Sequence, residues 1–106
     1  MKAVALISVL SLSLGVAYAA GDATAGKAVY DRACKTCHGA TGEANANLAK
    51  AMKVEIPDLG SAVVQKVSDD DLKKVVTDGK GKMQPVKSVT GKSVDDVAAF
   101  VRTLKK

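Results

Sequence analysis

Tryptophan is absent from this chain of 106 residues, and phenylalanine and histidine occur once each. Aromatics make up only 3% of the residues, too few for the stacking platforms that hold single-stranded bases, so no nucleic-acid partner is expected. Two cysteines cannot build the multi-bridge framework of a small disulfide scaffold. A lone histidine leaves a zinc site short of ligands and a peroxidase-like site short of a distal acid–base group. Runs that alternate apolar and polar residues are missing, which argues against strands. Disorder is also excluded, because 47% of the residues are hydrophobic and 25% charged.

The apolar residues are unevenly spread. After Met1 and Lys2, the segment Ala3 to Leu14 is apolar except for Ser8, Ser11 and Ser13, and Ala17-Tyr18-Ala19 fits the small-x-small rule. Residues 1–19 are therefore expected to form a secretory signal peptide, cleaved after Ala19 or Ala20. An uncleaved anchor is the alternative. Cleavage implies a periplasmic domain spanning residues 20–106, with no remaining membrane span. The formal charge of +5 falls by one as Lys2 leaves. Tyr30 and Phe100 are then the only aromatics, a thin core for so short a chain. Such domains usually need a disulfide, a metal or a cofactor.

The rest reads as helical. Asp22 is a candidate N-cap for a helix from Ala23 to about Thr36, with Gly26, Val29, Tyr30 and Ala33 on one face. Asn45 to Met52 forms a second short pattern, and Pro57 makes Ile56 to Gly60 a loop. Ser61 opens a turn to Lys66. Ser68 with Asp71 is a capping pair for a helix that stops at Gly79. Ser93 with Asp96 repeats that pattern before a last helix striped by Val94, Val97, Ala98, Phe100, Val101 and Leu104.

Chemistry concentrates in Cys34-Lys35-Thr36-Cys37-His38. Cys-x-x-Cys-His marks c-type haem attachment. Thiols three apart at a helix end reach the two vinyl groups of one porphyrin, and the following imidazole reaches its iron. A Cys34–Cys37 disulfide would close a loop too small to stabilise much. A thioredoxin-like pair requires strands that this chain lacks. With no second histidine, the other axial ligand should be a thioether, from Met52 or Met83. Met52 ends a short helical pattern and suits core packing. Met83 sits in Gly79-Lys80-Gly81-Lys82-Met83-Gln84-Pro85, where glycine allows close backbone approach and proline stiffens the segment. Met83 is the expected iron ligand.

Together these features resemble the class I mono-haem cytochromes c of the small bacterial periplasmic type. The resemblance implies an all-α cytochrome c fold of about four or five short helices around one covalent haem c. It also implies that the first and last helices cross, through Gly26 and Tyr30 on one and Val97, Phe100 and Val101 on the other. It implies a Pro57 carbonyl that accepts the His38 ring N–H, and a haem contact at Leu59. Gln84 is a departure, because many members place the methionine directly before proline. The expected function is one-electron transfer by a monomer that is not an enzyme. The alternatives are a haem subunit of a larger oxidoreductase, or a gas-binding or peroxidase-like haem protein. Lys35, Lys80, Lys82 and Lys87 form the expected docking face for an acidic redox partner.

Overall fold

Asp22 starts the first helix by supplying an acceptor for amides that have no carbonyl of their own. Its carboxylate accepts the N–H groups of Thr24, at 2.8 Å, and Ala25, at 3.3 Å. The computed structural model describes residues 21–106; the expected signal peptide lies outside the described residues. Helix α1 covers Ala23–Ala33, α2 Lys35–His38, α3 Ala46–Met52, α4 Ala62–Gln65, α5 Asp69–Asp78 and α6 Lys92–Thr103. The domain is all-α, as expected. Among the described residues the only β pairing is an isolated bridge between Lys80 and Met83.

Among the described residues six helices stand where four or five were expected, partly because the first pattern breaks at Cys34. That residue leaves helical geometry at φ −120°. Its carbonyl accepts the N–H groups of both Cys37 and His38, at 3.2 and 3.0 Å, so α2 winds about it. Gly39, with φ +74°, ends α2. Asn45 caps α3 through Leu48 N–H, and Ser68 caps α5 through Asp71 N–H, at 3.1 Å in each case.

The start of α6 needs a correction. Gly91, not Ser93, is its N-cap. Asp96 lies inside the helix, where it accepts the Asp22 N–H at 2.8 Å and the Lys92 ammonium at 2.9 Å. Its carboxylate thus joins the start of α1 to α6 instead of capping its own helix.

Helices α1 and α6 cross at Gly26. A Cβ added there would overlap the Asp96 carbonyl and lie 3.0 Å from Phe100 Cβ. Removing the side chain lets the backbones meet. One turn later the Tyr30 and Phe100 rings pack with centroids 4.9 Å apart at 51°. Val29, Tyr30, Val89, Val94 and Val97 form the buried core. The crossing expected at Gly26, Tyr30, Val97 and Phe100 is present. The far end of α6 is tied down by Arg102, which donates to Asp69 Oδ1 at 2.8 Å and to the Gln65 carbonyl at 3.0 Å.

Candidate haem-binding site

The packing of α1 determines where the attachment segment lies. Tyr30 is fully buried, and its hydroxyl donates to the Gly39 carbonyl at 2.6 Å, which anchors the turn after His38 to α1. Burial pushes the phenol up to about 12. Cys34 and Cys37 are free thiols, both half-buried, and Cys34 packs against the core. Burial, then the neighbouring Cys37, pushes the Cys34 thiol up to about 11.

His38 follows at the end of α2. Its Nδ1 is buried with no hydrogen-bond partner. Burial holds its pKa below the usual histidine value. Burial thus favours the neutral ring, the form that binds a metal. An orphaned buried ring nitrogen is uncommon. Two thiols with a neutral imidazole directly after them fit covalent haem attachment.

Pro57 is exposed, and Leu59 is half-buried against the core. No hydrogen bond joins Pro57 to His38 Nδ1 in the structure. The next three carbonyls are all engaged elsewhere. Asp58 accepts from Ser61 N–H at 3.0 Å, Leu59 from Gln65 Nε2 at 2.7 Å, and Gly60 from Lys106 N–H at 3.0 Å. Leu59 N–H donates to the Gly42 carbonyl at 3.0 Å, so this segment lies beside the turn that follows His38.

Met83 is half-buried in a tight turn. Lys80 N–H donates to the Met83 carbonyl at 2.9 Å, and Met83 N–H donates back to Lys80 at 3.0 Å. Gly79 has φ +79°, and a Cβ there would come within 2.6 Å of the Met83 carbonyl oxygen and 2.9 Å of Pro85 Cδ. Pro85 therefore packs on Gly79, and the turn is closed by reciprocal backbone bonds despite the intervening Gln84. Met52 is not core: it is 38% exposed. Its carbonyl accepts the Lys82 ammonium at 2.9 Å, which brings the end of α3 to the Met83 turn.

Lys35, Lys80, Lys82 and Lys87 are exposed, and none forms an ion pair among the described residues. The Lys82–Met52 contact adds Lys50 and Lys53, on either side of Met52, to the region around the turn. Sequence spacing gives no sign of this addition, because 30 residues separate Lys82 from Met52.

An all-helical domain with crossing first and last helices and a half-buried Cys-x-x-Cys-His histidine has the features of a c-type cytochrome. Residues 21–101 match the family described as cytochrome C oxidase, cbb3-type, subunit III, and the chain belongs to that family. The solved structure of the KustC0563 c-type cytochrome is similar, with a TM-score of 0.64 and 28% identity over 76% of this chain and 98% of that one. No curated protein matches. Cytochrome c domains carry covalent haem c, and Cys34, Cys37 and His38 are the residues that would hold it here. Bound haem c supplies a one-electron couple, so the class points to haem-based electron transfer. No described helix is long and apolar enough to cross a membrane.

Proposed function

We propose that this chain is a monomeric periplasmic electron carrier with one haem c, and that His38 and Met83 are the axial iron ligands. The His38 ring nitrogen Nδ1, buried without a hydrogen-bond partner directly after Cys37, carries the reading. Met83 is the better second ligand because its turn is closed at both backbone groups, whereas Met52 is exposed. Thioether ligation raises the reduction potential. With both axial positions filled, no open site is left for substrate chemistry, so the protein is a carrier and not an enzyme. The Pro57 carbonyl would complete the Nδ1 hydrogen bond and orient the ring. The Ala17-Tyr18-Ala19 segment supports export. Absorption spectra in both redox states and a denaturing mass test the reading. The expected mass is the cleaved chain plus one haem; a bare-chain mass overturns it.

The lysines around the Met83 turn would steer an acidic partner to the haem edge. Replacing Lys80, Lys82 and Lys87 by Gln should leave the spectrum intact. Reaction with an acidic redox protein should slow, and its dependence on ionic strength should flatten. An unchanged salt dependence would move the docking face elsewhere.

A second reading is a haem subunit of a larger oxidoreductase, favoured by the family match to an oxidase subunit. Gel filtration of native extract separates the two readings: a free carrier elutes at the size of the cleaved monomer, a subunit with its complex.

A further inference from the structure

Met52 is the last residue of α3, and its carbonyl is one of those that a helix end leaves without an amide of its own. The chain turns off in a left-handed residue, Lys53 at φ +54°, whose N–H points back to the Ala49 and Lys50 carbonyls. Val54 N–H also turns back, to the Ala49 carbonyl at 3.0 Å. The Met52 carbonyl takes its donor from far along the chain: the exposed Lys82 ammonium, at 2.9 Å. A cation there also suits the negative end of the helix. On the other side of this contact stands the Met83 turn. It is fixed at its base, where Val86 N–H donates to the Val76 carbonyl at 2.8 Å. Its tip is open: Gly81 has φ +58°, and a Cβ there would meet nothing within 4 Å. Among the described residues, Lys82 makes the one side-chain hydrogen bond from this turn to another helix.

We infer that Lys82 is a positioning residue for Met83: by capping α3 it latches the tip of the turn and restrains the thioether from leaving the iron. The inference rests on the reading that Met83 is an axial ligand. Lys82 immediately precedes Met83, and both backbone groups of Met83 are bonded to Lys80, so the turn moves as one unit. Tied at base and tip, it is held against α3; released at the tip, it pivots about its base. Such a latch sets how often the turn opens, not its geometry when closed, so the resting spectrum is kept. An exposed contact of one ammonium adds little to overall stability. The effect is therefore a local opening, separable from unfolding of the domain.

Displacement of the thioether from the ferric haem protein by imidazole tests this. At saturating imidazole, stopped-flow loss of the weak far-red band reads the rate at which the turn opens. Lys82→Leu removes the donor and brings no new iron ligand. It should raise that rate about tenfold, the scale of one hydrogen bond to a charged group, with the resting band and the guanidinium midpoint unchanged. Lys82→Arg, which can still donate, should restore the slow rate. Lys50, exposed in the last turn of α3, is the charge control: Lys50→Leu should leave the rate alone. A far-red band that is missing in the wild type, or that survives Met83→Ala, would show that the Met83 reading itself fails. A wild-type band with the same opening rate in Lys82→Leu would overturn the latch alone, as would a failure of Lys82→Arg to restore it. So would equal acceleration in Lys50→Leu, because charge would then be the cause. A lowered midpoint in Lys82→Leu would overturn it too, because the effect would be general destabilisation.

Discussion

His38 and Met83 are held in different ways, and the difference sets what each can tolerate. The half-buried His38 ring stands at the end of a short helix, and Tyr30 secures the turn behind it. Met83 is placed by its own backbone, through the paired bonds with Lys80. Replacing the Met83 side chain should therefore spare the turn and remove only the sulfur. Met83→Ala should abolish the weak far-red band of sulfur–iron ligation in the ferric spectrum and let the ferrous protein bind carbon monoxide. Met52→Ala should do neither. Loss of the band in Met52→Ala would transfer the ligand assignment to Met52 and move the docking face with it.

At the scale of elements, the contact between α1 and α6 carries the fold. Gly26 lies where the helices touch backbone to backbone, and Tyr30, Phe100 and Val97 fill the next turn. Asp96 adds a polar tie, accepting the Asp22 amide across the junction. A methyl group at position 26 has a carbonyl in its way, and backbone cannot rotate aside as a side chain does. Gly26→Ala should cost about 2–3 kcal/mol in denaturant unfolding, the upper range for overpacking. Ala28→Ser on the exposed face should stay within about 0.5 kcal/mol. A neutral Gly26→Ala would mean that the helices separate freely at this point.

The charges of the whole molecule define a pH window. Asp31 is held below the usual carboxylate range by Lys27, Asp58 by Lys106, and Asp96 by the Asp22 amide and then Lys92. Each favours the folded state above the unfolded aspartate value of about 4, and that stability is lost as pH falls through the lowered folded value. Lys73, Lys92 and Lys106 are raised by their carboxylate partners. Tyr30 is raised to about 12 by burial. These groups contribute fully below their unfolded values, near 10, and lose that contribution as pH climbs through the folded ones. The guanidinium midpoint of the haem protein should be flat between about pH 5 and 9 and fall on both sides. Asp96→Asn should flatten the acid limb. A midpoint that rises below pH 4 would contradict the sign for all three aspartates.

The helical class, the attachment segment and the thioether candidates could be read from the chain, because each depends on local spacing. Cys34, Cys37 and His38 are neighbours in sequence, so no fold is needed to bring them together. The periodicity of α1 and α6 also showed an apolar face on each; that these faces meet was implied by the family resemblance. The break at Cys34 was not legible, since it depends on a carbonyl shared between two amides. Nor was the role of Asp96: a Ser-x-x-Asp pattern resembles a cap whichever way its carboxylate turns, and only the arrival of Asp22 decided it. Contacts across long stretches of chain were equally hidden. Lys82 reaches Met52, and Lys106 reaches Glu43 and Asp58, because packing of α6 on α1 and closure of the Met83 turn bring distant segments together. Local sequence thus determined which groups could meet a haem and how the Met83 turn closes, while the joining of that turn to α3 and of the last residue to the loops after His38 was decided by tertiary packing, because those partners lie far apart along the chain.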